Sequence, residues 1–226
     1  MTTILITGVG RGIGHELARQ CLEKGWHVFG SVRRTQDAAA LKDLGKESFR
    51  ALVFDVRDSA TIAAAAAAVD ESVDVLVNGS GIIGPVRQSA LDMDFEGFAD
   101  TLAVNTIGPL RIAAAFLPHL RRSEWPRILT LSSWMGSLSH DRSDRIAYRA
   151  SKAAVNKVMQ GLATDLKPEG IAVATVHPGW VRTDMGGRAA VISPGESARG
   201  ILDIIDRLTP DTTGRFWNFD GTHLSW

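Results

Sequence analysis

Short runs of apolar or β-branched residues alternate along the chain with longer stretches whose apolar positions recur at helical spacing. Ile4–Thr7, Val28–Ser31, Ala51–Phe54, Val75–Val77, Ile128–Leu131, Ile171–Val176 and Phe216–Phe219 read as strands. Between them Gly12–Lys24, Ala38–Leu44, Thr61–Val69, Phe98–Leu120 and Tyr148–Leu166 read as helices, the last closed by Pro168 and Gly170 before the next strand. Strands that are apolar at nearly every position are buried on both faces, and strand–helix–strand repetition makes them parallel. The predicted fold is therefore α/β, a doubly wound parallel sheet of about seven strands with helices on both faces. Alanines 63–68 fall where a crossover helix is due, and alanine is the best helix former, so the run reads as structure. No linker, repeat or charged tail interrupts the pattern, and a single domain over residues 1–226 is expected.

Composition narrows the function classes. The chain is 45% hydrophobic and 22% charged, enough for one sizeable core. Lys plus Arg and Asp plus Glu number 25 each, so no global basic field exists to hold a polyanion, and neither nucleic acid nor a membrane surface is an expected partner. Cys21 is the only cysteine, which rules out an internal disulfide, and no Cys/His cluster has zinc-like spacing, so no metal is expected. The opening MTTILITG runs straight into an apolar strand without a basic region and long apolar core, and no apolar run reaches the ~20 residues of a membrane span. A cytoplasmic location is the expectation.

The segment TGVGRGIG, residues 7–14, follows the first predicted strand and opens the first helix. Glycines at 8, 12 and 14 permit a tight turn, close approach of backbone to a pyrophosphate and tight helix–strand packing, while the helix N-terminus offers free N–H groups and positive dipole charge. This is the Rossmann arrangement, with Thr7, Gly8, Arg11, Gly12, Ile13 and Gly14 as cofactor-binding candidates. The second strand ends GSVRR, with Val32 where an acid would receive the ribose hydroxyls of NAD, followed by Arg33 and Arg34. Arg11 is expected to point toward the same region. Guanidinium forks match phosphate oxygens in charge and geometry, so these arginines and the missing acid predict NADP, with NADPH preferred over NADH.

Tyr148 is the only tyrosine, although phenylalanine is used eight times, so its hydroxyl is what the position requires. Lys152 lies four residues on, and a residue and its i+4 neighbour share a helix face. A phenol titrates near ~10 and an adjacent ammonium favours the phenolate; roughly 3–4 kcal/mol of electrostatic help would bring it toward neutral pH. So tuned, Tyr148 can protonate a carbonyl oxygen as hydride reaches its carbon, and act as base in reverse.

TGxxxGxG near the start, DVLVNGSG at 74–81, Asn105 in a long helix, LSS at 131–133, Tyr148-x-x-x-Lys152 and HPGWVRTDM at 177–185 together resemble the short-chain dehydrogenase/reductase family over essentially the whole chain. YR-x-SK, PGWV-x-TDMGG and the closing GRFWNFDGTHLSW are most similar to its branch of C-factor and sniffer-like carbonyl reductases. The resemblance implies that Lys152 also holds the nicotinamide ribose, that Ser133 hydrogen-bonds the substrate oxygen, with Ser132 the alternative, and that Asn105 supports a water chain to the lysine or else satisfies backbone groups at a helix kink. It implies adenine contacts from Asp55 and Val56, nicotinamide contacts from Pro178, Gly179, Val181 and Thr183, and a cofactor-lining role for Asn78, Gly79 and Gly81. Gly79 and Ser80 depart from the family pattern, which puts local rigidity in question. The segment from serine to tyrosine is about two residues longer than the common pattern and is expected to bulge as a surface loop. Relatives often pair through the equivalents of helices 98–120 and 148–166, which implies a homodimer or homotetramer.

Substrate selection is expected from loops beyond the strand ends. The segment 186–193 is short, implying an open site, and Trp134, Met135, Leu138 and His140, with Trp180 opposite, are candidates for an apolar wall suited to an aldehyde or ketone. Two readings stand: an NADPH-dependent carbonyl reductase, or an NADP-binding signalling or sensor protein with little turnover.

Overall fold

The computed structural model describes residues 1–41 and 44–226. In chain order the elements are β1 (Thr3–Thr7), α1 (Gly12–Glu23), β2 (His27–Val32), α2 (Thr35–Ala39), β3 (Phe49–Val53), α3 (Ser59–Ala67), β4 (Val75–Asn78), β5 (Gln88–Ser89), β6 (Asp92–Met93), α4 (Phe95–Leu102), α5 (Gly108–Leu120), β7 (Arg127–Leu131), α6 (Ile146–Leu166), β8 (Ala172–His177), α7 (Pro194–Arg207) and β9 (Phe216–Asn218). A five-residue π turn, Ala103–Ile107, joins α4 to α5 without a break. The predicted helix Ala38–Leu44 falls partly outside the described residues; α2 itself ends at Ala39.

Seven strands form one parallel sheet in the order β3-β2-β1-β4-β7-β8-β9, with β5 and β6 in a separate antiparallel hairpin. The order reverses between β1 and β4, and ligands of such sheets bind beyond the carboxyl ends of the strands at that point. Alternate residues of each strand serve opposite faces. Ile4 and Ile6 of β1 pack with Leu17 and Cys21 of α1 and with Ile201 and Ile205 of α7. Leu5, Leu76 and Ile128 face the other way, onto Ile62 of α3, Ile112 and Phe116 of α5, and Val155 and Met159 of α6. Each such side chain contributes roughly 1.5–3 kcal/mol through burial.

Helix starts follow the polar residues ahead of them. Asp58 caps α3 by accepting from Ala60 and Thr61 N–H, Asp94 caps α4, and Ser193 with Glu196 forms a capping box on α7 behind Pro194. By contrast, α1 has Arg11 at its N-cap and no side chain accepting from its first turn. The continuous helix Phe95–Leu120 is long and apolar enough, by length and composition, to cross a membrane. Counting uninterrupted apolar residues missed it because Asn105, Thr106 and Arg111 punctuate the stretch; here Ile112 and Phe116 are packed into the core below the sheet.

Candidate active site

The glycine turn is shaped by contacts that leave no room for side chains. Gly8 has φ +80°, and a Cβ there would sit 3.0 Å from Ser80 Oγ; a Cβ on Gly14 would fall 2.5 Å from the Gly8 carbonyl oxygen. The backbone thus passes close beneath an α1 N-terminus whose N–H groups have no side-chain acceptor. Such a cradle of small residues and free donors fits the pyrophosphate of a dinucleotide. The neighbouring NGSG segment is fastened to β1: Gly79 and Ser80 N–H both donate to Thr7 Oγ1, at 2.9 and 3.1 Å. A Cβ on Gly79 would lie 2.6 Å from the Thr7 carbonyl oxygen, so the departure from the family pattern is accommodated by close packing against β1. Asn78 reaches across the sheet, its Nδ2 donating to Thr130 Oγ1 at 3.2 Å.

The arginines are arranged differently from expectation. Arg11 does not join Arg33 and Arg34; its Nη1 donates to Asp184 Oδ2 at 2.5 Å, in the loop after β8, because that exposed carboxylate lies within its reach. Arg34 is engaged twice by Asp37, one helical turn away, at 2.9 and 2.7 Å. Arg33 is exposed beside the buried Val32 and has no ion-pair partner among the described residues, which makes it the available cation at the end of β2. Asp55, before Val56, is held by Arg57 at 2.9 Å, and the guanidinium keeps its carboxyl below the usual range.

Tyr148 lies in the first turn of α6 and Lys152 one turn further along the same face. Both are buried, at 7% and 5% exposure, so the phenol and the ammonium are shielded from bulk water. Lys152 Nζ donates to the Leu131 carbonyl at 2.8 Å and sits 5.7 Å from the centre of the Tyr148 ring. Burial pushes the phenol above its ordinary value; a hydrogen bond with Ser133 and the positive charge of Arg145 act in the opposite direction. The expected depression by Lys152 is therefore not what the structure shows, since desolvation outweighs the attractive charges. The lysine itself is pushed down by burial to about 8.

Asn105 occupies the π turn, and its side chain clamps the chain after β4: Oδ1 accepts from Ile82 N–H at 2.9 Å, and Nδ2 donates to the Ile82 carbonyl at 2.8 Å and to Ser151 Oγ at 3.0 Å. Ser151 Oγ in turn donates to the Tyr148 carbonyl at 2.7 Å. A Cβ on Gly81 would meet both Asn105 Oδ1 and Lys152 Nζ, at 3.3 and 3.7 Å, so these groups converge on one point of the backbone. Ser133 turns toward the phenol, whereas Ser132 Oγ donates to the Lys152 carbonyl, which favours Ser133 of the two candidates. Pro178, Gly179, Val181 and Thr183 follow β8 at the same edge of the sheet. There the Pro178 carbonyl accepts from Ser197 Oγ, and Thr183 Oγ1 accepts from Gly186 N–H.

Comparison with known proteins settles the family, because the profile described as short chain dehydrogenase matches residues 2–190. This chain is a short-chain dehydrogenase. Over 155 residues, 68% of this chain and 93% of the relative, it is 43% identical to C-signal of Myxococcus xanthus. The crystal structure of NADPH-bound carbonyl reductase from chicken fatty liver superposes with TM-score 0.92 at 29% identity, covering 100% of this chain and 99% of that one. The carbonyl reductase Sniffer of D. melanogaster superposes equally well, at 32% identity and with full coverage of both chains.

In this dehydrogenase exposed apolar groups stand on the two loops that follow β7 and β8. Trp134 and Leu138 follow β7, and Trp180, Met185 and Val191 follow β8. His140 lies against Trp134 with ring centroids 4.6 Å apart and planes tilted by 31°, and the Arg149 guanidinium lies 5.6 Å from the same ring. Trp180 Nε1 donates to the Gly186 carbonyl and so braces the loop after β8. Residues 138–145 form an exposed loop, as the longer serine-to-tyrosine spacing predicts. Sequence reasoning overlooked Gln88, whose Oε1 accepts from Tyr148 N–H at 3.1 Å. It sits in a two-residue strand too short to leave a periodic signal.

Proposed function

We propose that this dehydrogenase reduces an aldehyde or ketone to an alcohol with NADPH, Tyr148 supplying the proton. The observation that carries the reading is the buried Tyr148, in contact with the Ser133 hydroxyl and one helical turn from a lysine held near 8. The chemistry supplied by the bound nicotinamide is hydride transfer to the carbonyl carbon. Ser133 and Tyr148 hydroxyls orient the carbonyl oxygen, and Tyr148 donates its proton as charge builds there. Lys152 holds the nicotinamide ribose and, with a protonation equilibrium near the working pH, resupplies the proton. Asn105 fixes the chain around Ile82 and supports the path by which water reaches the lysine.

The cofactor would be held by Thr7, Gly8, Gly12, Ile13 and Gly14 at the start of α1, by Asp55 and Val56 beside the adenine, by Asn78, Gly79 and Gly81 along β4, and by Pro178, Gly179, Val181 and Thr183 near the carboxamide. Arg33 is the cation for the 2′-phosphate, with Arg34 and Arg11 able to serve only by leaving Asp37 and Asp184. The chicken reductase with NADPH bound supports NADP(H) as the cofactor.

The resemblance to C-signal supports a second reading, an NADP-binding signalling protein with little turnover. Single-turnover loss of NADPH absorbance over a panel of aldehydes and ketones separates the two. Oxidation on at least one carbonyl is expected; tight NADPH binding with no oxidation on any of them would favour the sensor.

A further inference from the structure

Between the β4–β5 connection and the start of α6 lies a cavity of about 340 Å3, walled by Ile83, Pro85, Val86, Gln88, Asp144 and Arg145. Its roof is fixed to the catalytic helix: Gln88 Nε2 donates to the Ile83 and Pro85 carbonyls, at 3.1 and 2.7 Å, while Oε1 accepts from Tyr148 N–H. Two charged side chains face it. The Asp144 carboxylate accepts from Arg149 Nη2 at 2.7 Å, so its charge is already matched by a buried guanidinium. Arg145 has no carboxylate within ion-pair distance among the described residues, and two residues separate it from Tyr148 at the start of one helix. The cavity is therefore lined by the apolar Ile83, Pro85 and Val86 together with polar groups, holds one cation without an ion-pair partner among the described residues, and is tied through Gln88 to the Tyr148 backbone. The positive charge of Arg145 acts on the Tyr148 hydroxyl in the direction that favours the phenolate.

The backbone at Arg145 is unusual as well. With φ +53°, it is the one non-glycine residue in the left-handed region among the described residues. A side chain there carries a steric cost that glycine escapes, and strain of this kind persists where the side chain is needed.

We propose that Arg145 determines substrate specificity by selecting carbonyl compounds that also carry a carboxylate, bound in this cavity beside Tyr148. The proposal rests on the carbonyl-reductase reading and names its substrate class. A single planar guanidinium matches a carboxylate in two-point geometry, whereas a doubly charged phosphate would call for further cations that the cavity does not offer.

4-Formylbenzoate and its methyl ester share ring and aldehyde and differ in charge, so their kcat/KM ratio with NADPH reads the cation's contribution. The acid is expected to be the better substrate; Arg145→Gly, which removes the charge and relieves the backbone, should lower the acid-to-ester ratio by ~10-fold, and Arg145→Lys should retain part of it. The thermal midpoint of the glycine variant should hold or rise, which separates loss of selectivity from misfolding. Calorimetric binding of 4-(hydroxymethyl)benzoate and its methyl ester to the NADP-loaded protein supplies a second readout. Reduction of the ester with no advantage for the acid, or an advantage indifferent to Arg145→Gly, overturns the proposal and leaves the reductase reading standing. If neither is turned over, the wider carbonyl panel decides the reductase reading, and equal calorimetric affinities for acid and ester overturn the role of Arg145 independently.

Discussion

Tyr148, Lys152 and His177 show what a single residue's surroundings do to its chemistry. The sole tyrosine and the lysine four places on are legible in the sequence, but the balance of burial against charge is not, because it depends on what the fold packs above them. His177 makes the same point at the end of β8. Burial holds its imidazole at about 4 instead of 6.5, with Asp220 offsetting only part of the effect, and its Nδ1 has no partner. Above pH 6.5 the ring is neutral in both states. Between 6.5 and 4 the unfolded chain takes up the proton and the folded one does not, so stability falls as pH drops through that window, by roughly 3 kcal/mol once pH 4 is reached. The depressed carboxyls Glu16 and Asp55 add their losses only nearer and below their own unfolded values. Urea midpoints measured from pH 7 to 4.5 should therefore fall more steeply for the wild type than for His177→Asn. Identical slopes would show that the imidazole titrates normally.

At the scale of elements, the strands were legible because parallel strands buried on both faces are written as continuous apolar runs, and the observed limits differ from the predicted ones by a residue or two. Helix α7 was overlooked although its signals are in the sequence: Ser193 and Glu196 spell a capping box around Pro194, and Ala198, Ile201, Leu202 and Ile205 recur at helical spacing on the face that packs on α1. The π turn holding Asn105 leaves no trace in composition, and the left-handed Arg145 leaves none either, since nothing in an Asp-Arg-Ile sequence announces φ +53°. The end of β2 is a mixed case. Val32 and the paired arginines were visible, but the capture of Arg34 by Asp37 and of Arg11 by Asp184 depends on neighbours in space. On the proposed reading, discrimination between cofactors accordingly falls on Arg33. Arg33→Glu should invert the order of KM values, making NADH the better cofactor by at least ~10-fold where NADPH was; retention of NADPH preference would move the phosphate contact to Arg11 or Arg34.

For the whole molecule, the reversal of strand order between β1 and β4 brings distant parts of the chain to one edge of the sheet. The glycine turn comes from the first fifteen residues, Asn105 from the middle of a long helix, Ser133 from the end of β7, and Tyr148 and Lys152 from α6. Motif order made this assembly legible without coordinates. The apposition of the phenol with Ser133, the path from Asn105 through Ser151 to the Tyr148 backbone, and the cavity beside Gln88 required the fold, because each joins segments that share no local pattern. The proposed function rests on the proton of the buried Tyr148 hydroxyl. Its most direct test is kcat/KM for a carbonyl that the wild type reduces, measured again for Tyr148→Phe, which keeps the ring and removes only the oxygen. A loss of at least ~10²-fold in a protein that still binds NADPH is the expected result; a rate within a few-fold of the wild type would contradict a role for Tyr148 as proton donor.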